Sequence, residues 1–125
     1  MEDLNKIRYS DEELEEFRIL IEKKIEKVKR QIDFYQTQIG ELINGPDGHI
    51  KGLDDGISTT ETEHIMQMIG RAKKHLSHLE KALLRIENKV YGICRVTGKL
   101  ISKERLKAVP HATLSIEAKQ QMKKK

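Results

Sequence analysis

Few residues in this 125-residue chain have the side chains and spacing that metal binding requires. His75 and His78 are three residues apart, so on a helix their imidazoles share one face. A zinc site needs three or four ligands in tetrahedral geometry, and no further ligand accompanies this pair or His64. We therefore interpret the three histidines as surface residues.

The sequence contains no arrangement typical of catalysis. A nucleophile elbow, a glycine-rich phosphate loop and a His-Glu-x-x-His segment are all missing. The single cysteine, Cys94, excludes an internal disulfide and agrees with a reducing compartment. We predict that the chain is not an enzyme and that it is cytoplasmic.

A glycine-rich segment carries several carboxylates. Asp47, Asp54 and Asp55 fall within residues 45–58, where four glycines in twelve residues predict a connector. Aspartates in such a segment can cap turns and the helix that follows.

The composition indicates which elements position these residues. Charged residues make up 35% of the chain, hydrophobic residues 37% and aromatic residues 4%, which is too polar for a large globular core. Two prolines and interspersed acids and bases favour long helices over a sheet. No apolar run reaches the roughly 18 residues of a membrane span, and no secretory signal is present, so we expect no membrane association.

Two heptad patterns predict a pair of long amphipathic helices. The first follows a capping box of Ser10 and Glu13, and the second follows Ser58, Thr59 or Thr60 as its cap. Neither helix would be stable alone in water, so we predict that they pack as an antiparallel hairpin. The two apolar seams consist of Leu14, Phe17, Ile21, Ile25, Val28, Ile32, Tyr35, Ile39 and Leu42, and of Ile65, Ile69, Ala72, Leu76, Leu79, Leu83, Ile86 and Val90.

The C-terminal segment has a different pattern. Gly92 and Gly98 indicate tight turns, residues 102–106 predict one short helical turn ended by Pro110, and a further helix is expected from Thr113. These features predict a compact knuckle after the hairpin.

The residues of this knuckle carry a resemblance to a known family. Tyr91-Gly-Ile-Cys94 and Arg105-Leu106-Lys-Ala108-Val-Pro110-His-Ala112 are similar to the Y-G-x-C-x-x-C-G and R-L-x-A-x-P-x-A patterns, which a C-I-x-C pattern follows. With the preceding hairpin, the chain from about Ser10 to Lys119 resembles the DksA/TraR family of bacterial RNA polymerase-binding regulators.

The resemblance implies a mainly all-α architecture with three parts. Residues 10–90 form a long antiparallel coiled-coil hairpin with its tip loop at about 45–58. Residues 91–121 form a small degenerate zinc-finger-like domain that includes the terminal helix. Residues 122–125 form a basic tail, and the chain is expected to be a monomer.

The four zinc-ligand positions of the family fall on Cys94, Thr97, Ser115 and Ala118. Two hydroxyls and a methyl group cannot replace three thiolates, so we predict that zinc is lost and that the chain has no cofactor. His111 is a possible second ligand beside Cys94, but one thiol and one imidazole make a poor site. Apolar contacts must then hold the knuckle together.

The resemblance also implies which residues contact RNA polymerase. Family members insert the coiled-coil tip into the secondary channel, where acidic tip residues modulate transcription initiation. Asp54 and Asp55 lie in the corresponding loop, and Asp54 coincides with the second family aspartate. Arg71 and Lys74 match basic residues of the second arm that contact the channel rim. A solvated helix face is the alternative interpretation of these two residues.

The family's site for the alarmone ppGpp falls on His78, Val109 and Lys119. Only Lys119 keeps a positive charge, whereas a phosphate-rich ligand needs several fixed cations or amides. The sequence therefore predicts a weak ppGpp site.

Two other functions are consistent with the residues. A net charge of +4 and a pI near 9.1 allow a nucleic-acid-binding module, although part of the excess comes from the C-terminal lysines. Heptad seams can also pair between chains, which allows a coiled-coil adaptor. The polymerase-binding regulator is our leading hypothesis, and we expect no direct sequence-specific DNA binding.

Overall fold

The computed structural model describes residues 7–44 and 56–123. Within these ranges it contains four helices and no strand beyond one antiparallel bridge between Ile93 and Leu100. The predicted all-α fold is confirmed. The helices are α1 (Asp11–Asn44), α2 (Gly56–Glu87), α3 (Lys103–Ala108) and α4 (Ile116–Lys123).

The start of α1 is the capping box that the sequence predicts. The Glu13 amide donates to the Ser10 hydroxyl at 3.1 Å, and the Ser10 amide donates to the Glu13 carboxylate at 2.9 Å. Two amides that lack an acceptor within the helix are thereby satisfied. The local pattern alone defines this boundary.

The start of α2 differs from the prediction. The helix begins at Gly56, so residues 56–58 of the expected connector are helical, and Ser58, Thr59 and Thr60 lie inside the helix rather than before it. Serine and threonine lower the stability of a helix only slightly when they lie inside it. A helix can therefore begin before such residues even though they could also serve as its N-cap. The tip aspartates Asp47, Asp54 and Asp55 lie outside the described residues.

The chain divides into two compact units. The first comprises Met1–Lys24 and His78–Lys125, and the second comprises Ile25–Ser77. In the first unit, apolar residues of α1 and α2 form one core with residues of the C-terminal segment. The buried members are Tyr9, Leu14, Phe17, Ile21, Leu79, Ala82, Ile86, Tyr91, Cys94, Ile101, Leu106, Ala112 and Ala118.

In the second unit, α1 and α2 pack side by side. Ile25, Val28 and Ile32 of α1 are buried. The seam residues of α2 in this unit are only half-buried, namely Ile65, Ile69, Ala72 and Leu76. One groove pairs Gln38 of α1 with Thr60 of α2, and another pairs Gln31 with His75. From the first groove to the second, the residue numbers decrease along α1 and increase along α2. The two helices are therefore antiparallel, as predicted.

The end of α2 turns the chain into the C-terminal segment. Lys89 has a φ of 63°, and its amide donates to Ile86 while the amide of Val90 donates to Arg85. These two bonds form a Schellman motif, in which the left-handed position usually holds glycine. The Lys89 ammonium also contacts Asp11 at 3.0 Å, which joins the end of α2 to the start of α1.

The two short helices begin at serine caps. The Ser102 hydroxyl accepts from the amide of Arg105 at 3.2 Å, and the Ser115 hydroxyl accepts from the amide of Ala118 at 3.1 Å. α4 therefore begins after Ser115, three residues later than the predicted start at Thr113. It extends to Lys123, so the first residues of the predicted basic tail are helical.

Tyr9 connects the chain before α1 to the segment after α2. Its buried ring contacts Phe17 edge to face, with 5.7 Å between centroids, and its hydroxyl donates to the carbonyl oxygen of Ile101. The same ring covers Gly92, where a Cβ would lie 2.6 Å from a ring carbon. Glycine at position 92 therefore meets two requirements, the close approach of Tyr9 and a φ of +79°.

A second tyrosine extends this aromatic cluster. Tyr91 is fully buried, its ring lies 5.2 Å from that of Phe17, and its hydroxyl donates to the carbonyl oxygen of Pro110 at 2.8 Å. Burial raises its pKa, so the phenol stays protonated and keeps this bond at neutral pH. The cluster of Tyr9, Phe17 and Tyr91 thus anchors three parts of the C-terminal segment.

We expect Gly92→Ala to destabilise the protein by about 2 to 4 kcal/mol, because the new methyl group collides with Tyr9 and the left-handed backbone becomes strained. Gly98→Ala is the matched control. Its φ is +73°, but no atom lies within 4 Å of the added Cβ, so only the strain of about 1 kcal/mol applies. Urea unfolding measures both free energies, and equal losses would contradict the close packing of Tyr9 on Gly92.

Candidate functional site

The four positions that correspond to zinc ligands are brought together in the first unit by hydrogen bonds. The Cys94 sulfur accepts from the amide of Ser115 at 3.4 Å and from the Thr97 hydroxyl. The Ser115 hydroxyl accepts from the amide of Ala118, whose side chain is fully buried. A network of neutral donors therefore occupies the place of a four-thiolate centre.

These residues do not fit a structural zinc ion. Of the four positions only Cys94 offers a ligand that zinc prefers, and the Ser115 hydroxyl is used as the cap of α4. The described residues include no group of three histidine, cysteine or acidic side chains placed to hold a metal. His111, the possible second ligand, instead contacts the ring of His78, with 5.3 Å between centroids.

The environment of Cys94 favours its ionised form. Burial raises the pKa of the thiol, but the Thr97 hydroxyl and the amides of Ser115, Thr97 and Val96 outweigh burial and lower the pKa to about 6. With this pKa the sulfur is a thiolate at neutral pH, and the hydrogen bonds stabilise its charge. The Cys94 side chain is only 1% exposed. These bonds connect the turn at 94–97 to the start of α4.

A basic pocket lies on another face of the first unit. Its volume is about 430 Å³, and α2, α3, α4 and the segment before α4 contribute to it. No aspartate or glutamate of the described chain lines it. The lining residues are His78, Lys81, Arg85, Arg105, Val109, His111, Ala112, Thr113, Leu114 and Lys119. We call this feature the basic pocket.

Backbone carbonyls position the two arginines of the basic pocket. Arg85 Nη2 donates to the carbonyl oxygen of His111 at 3.3 Å, and Arg105 Nε donates to that of Leu114 at 2.8 Å. Both arginines are half-buried, and burial lowers the pKa of Arg85 without removing its charge. Lys81 and Lys119 are exposed at the same pocket.

The structure brings the three residues of the predicted ppGpp site together, since His78, Val109 and Lys119 all line the basic pocket. Sequence analysis missed the other cations there, Lys81, Arg85 and Arg105. Lys81 and Arg85 are one helical turn apart, and this spacing indicates from the sequence that they share a face of α2. The contribution of Arg105 was not visible, because it depends on how α3 packs against α2. The weak ppGpp site stays a prediction.

The predicted polymerase contacts of the second arm lie in the second unit. Arg71 is exposed and lines a shallow groove of about 340 Å³ together with Gln31, Tyr35, Met68, Ala72 and His75. Lys74 is also exposed but does not line this groove. The structure therefore places Arg71, but not Lys74, beside the apolar and polar groups of this groove.

The histidines do not form a shared site. In the second unit, His64 lines a groove with Tyr35 and Met68, and His75 lines the groove of Arg71. In the first unit, His78 belongs to the basic pocket. Their interpretation as separate surface residues agrees with the exposure of all three.

Similarity to known proteins extends over both units. Residues 89–122 match the prokaryotic dksA/traR C4-type zinc finger. The fold is similar to the structure of transcription factor DksA2 from Pseudomonas aeruginosa, with a TM-score of 0.83 and 25% identity over 99% of this chain and 92% of that one. The C-terminal segment carries the dksA/traR domain, and over its length the chain is similar to members of the DksA/TraR family. Its resemblance to the family's hairpin and knuckle is thereby confirmed.

Two curated relatives align with much of the chain. General stress protein 16O of Bacillus subtilis is 31% identical over 98 residues, which are 78% of this chain and 59% of that protein. The RNA polymerase-binding transcription factor DksA of Caulobacter vibrioides is 33% identical over 82 residues, 66% of this chain and 58% of that protein. The matched region thus spans less than two thirds of either relative. Among the described helices, none is long and apolar enough to span a membrane.

We predict that the Cys94 thiol titrates with a midpoint near 6 in the metal-free protein, because hydrogen bonds favour the thiolate. Thr97→Val removes one donor and should raise the midpoint. Ultraviolet thiolate absorbance measured against pH follows the titration, with Cys94→Ser as the blank. A midpoint at the ordinary value of about 8.5 would contradict the network.

Proposed function

We propose that this protein is a transcription regulator that binds bacterial RNA polymerase and is not an enzyme. The observation that carries the proposal is the similarity to transcription factor DksA2 over 99% of the chain, hairpin helices and knuckle included. The relative from Caulobacter is itself named as RNA polymerase-binding. A regulator that acts by binding needs a surface and no catalytic centre, which agrees with the absence of catalytic motifs from the sequence.

The proposed mechanism gives separate roles to the tip and to the second arm. The coiled-coil tip enters the secondary channel of the polymerase, where Asp54 and Asp55 act by charge near the catalytic region and modulate initiation. Arg71 and Lys74 contact the channel rim and supply affinity. The tip residues and the second-arm residues are different residues. Substitutions in the arm should therefore change the affinity for the polymerase, and substitutions in the tip should change the effect on initiation.

Arg71 is the better candidate for a strong contact of the two basic residues. Arg71 lines a groove that also holds Tyr35 and Met68, so a partner could pair with its charge and cover the apolar surface at the same time. Lys74 lacks such neighbours in that groove, and an exposed ion pair alone contributes about 1 kcal/mol or less.

The C-terminal segment is proposed to fold without zinc and the whole protein to be a cytoplasmic monomer. Support for the first part is the hydrogen-bonded network at Cys94, Thr97 and Ser115. Support for the second is that the buried seam of α1 already packs against α2 within one chain. A coiled-coil adaptor would need an unused seam for its partner, and sedimentation at several concentrations distinguishes the two.

We expect the purified protein to contain far less than one zinc per chain and to keep its melting temperature in a strong chelator, because the described residues form no four-ligand site. The variant with Thr97→Cys, Ser115→Cys and Ala118→Cys is the positive control and should gain zinc. Mass spectrometry of the metal measures the zinc content per chain of both proteins. Stoichiometric zinc in the natural sequence, or unfolding on chelation, would contradict the proposal.

The polymerase proposal is tested with core enzyme from the host of this protein. Arg71→Ala should weaken binding about tenfold, as loss of an interface arginine worth about 1.4 kcal/mol requires. Lys73→Ala, on the same helix and also exposed, is the matched control and should bind normally. Affinities are measured with labelled full-length protein at low salt.

The tip is tested in the same preparation by the double substitution Asp54→Asn and Asp55→Asn. This variant should bind the polymerase as tightly as the natural protein but lose its effect on initiation, since only the carboxylate charges are removed. No association of the natural protein with the polymerase would refute the proposal. Equal weakening by Lys73→Ala and Arg71→Ala would refute the role of Arg71.

A further inference from the structure

A second groove between α1 and α2 lies in the second unit, next to the shallower groove of Arg71. Its volume is about 570 Å³, which exceeds the roughly 300 Å³ at which ligand sites begin. The lining residues are Tyr35 and Gln38 of α1 and Thr60, Glu61, His64, Ile65 and Met68 of α2. We call this feature the Tyr35 groove. The proposed roles of the tip, of Arg71 and of Lys74 do not use it.

The floor of the Tyr35 groove is apolar and accessible. Among the described residues of α1, none after Ile32 is buried, so the seam of the hairpin stays partly open in this part of the second unit. Tyr35, Ile65 and Met68 are accordingly half-buried. Phe34 is 60% exposed, and its ring lies 6.0 Å from that of Tyr35. A partner can therefore cover aromatic and aliphatic side chains here.

A single carboxylate accompanies this apolar floor. Glu61 is exposed and is the one acidic residue in the described lining, which includes no lysine or arginine. A carboxylate beside an aromatic ring and a thioether favours a cation that also carries an apolar stem. An arginine side chain fits this combination, because its guanidinium stacks on aromatic rings and pairs with carboxylates, and its methylene groups cover apolar surface.

The Tyr35 groove continues into the groove of Arg71, since Tyr35 and Met68 line both. Glu61 and Arg71 are ten residues apart on α2, which corresponds to about 15 Å along the helix axis. The continuous surface therefore has a negative charge towards one end and a positive charge towards the other. A partner that binds in the reverse direction would place like charges opposite each other, so the two charges select one orientation.

We infer that the Tyr35 groove binds an arginine side chain of RNA polymerase, whose guanidinium stacks on Tyr35 and pairs with Glu61. The inference rests on the proposed function and adds a second contact, of opposite charge to that of Arg71. The polymerase segment that covers both grooves then carries a carboxylate and an arginine about 15 Å apart. That separation is about ten residues on a helix or four to five residues on a strand.

The first test measures binding of the full chain to core polymerase at low salt. Glu61→Lys should weaken binding about tenfold or more, because it places a like charge opposite the arginine. Glu63→Lys is the matched control. Glu63 is exposed on the same helix, two residues away, and lines neither groove, so its reversal should change the affinity less than twofold. Circular dichroism confirms that both variants are folded.

The two proposals fail in different ways in this experiment. If the natural protein does not bind the polymerase, the proposed function is refuted. If the natural protein binds and the two charge reversals have equal effects, only the role of the Tyr35 groove is refuted.

The second test separates an arginine from an aliphatic occupant of the groove. Tyr35→Leu keeps an apolar side chain but lacks the ring, so it should weaken binding about fivefold. Tyr35→Phe retains the ring and should weaken binding clearly less. Equal affinities of the two variants would overturn the inference, because an aliphatic occupant does not distinguish a ring from leucine in this way.

The third test identifies the polymerase residue. A photoreactive amino acid at position 38 of the full chain, which lines the groove, is crosslinked to core enzyme and the crosslinked peptide is sequenced. The peptide should contain an arginine, and reversing that arginine to glutamate in the polymerase should restore binding of Glu61→Lys. A peptide without arginine, or no restored binding, would overturn the inference.

Discussion

The contact of Tyr9 with Gly92 and Ile101 is the constraint on which the C-terminal segment depends. It joins residues more than eighty positions apart in sequence, and it fixes the chain before α1 against the turn that follows α2. Phe17 and Tyr91 extend the contact to Pro110, so the aromatic cluster orients the segment that runs from Pro110 to α4. The carbonyl groups of that segment in turn position the arginines of the basic pocket.

The same constraint explains how a zinc-finger-like segment can persist with one cysteine. A structural zinc ion contributes about 10 kcal/mol or more of apparent binding free energy, whereas each hydrogen bond in the network at Cys94 contributes about 1 kcal/mol. The bonds alone would not replace the contribution of a structural zinc ion. Complete burial of Tyr91, Ile101 and Leu106 adds about 1.5 to 3 kcal/mol for each side chain, which is the right order for the remainder.

Local features could be predicted from the sequence, whereas features that depend on distant contacts could not. The heptad seams and the capping box at Ser10 follow from spacing alone, and both are present. Val90 is the exception, because α2 ends at Glu87 and Val90 is 46% exposed. The start of α2 was predicted too late, because three hydroxyl residues offered equivalent caps and helices tolerate all of them. The docking of Tyr9 and the place of Arg105 in the basic pocket depend on tertiary packing between remote segments, and no local pattern encodes them.

The central claim is that the hairpin tip reaches the interior of RNA polymerase. The most direct measurement places a photoreactive amino acid at position 54 of the full chain, crosslinks it to core enzyme and identifies the crosslinked polymerase peptides. We expect peptides that line the secondary channel close to the catalytic centre, and a lower yield of these crosslinks with Arg71→Ala at protein concentrations below saturation. Crosslinks confined to the outer surface of the polymerase would contradict it.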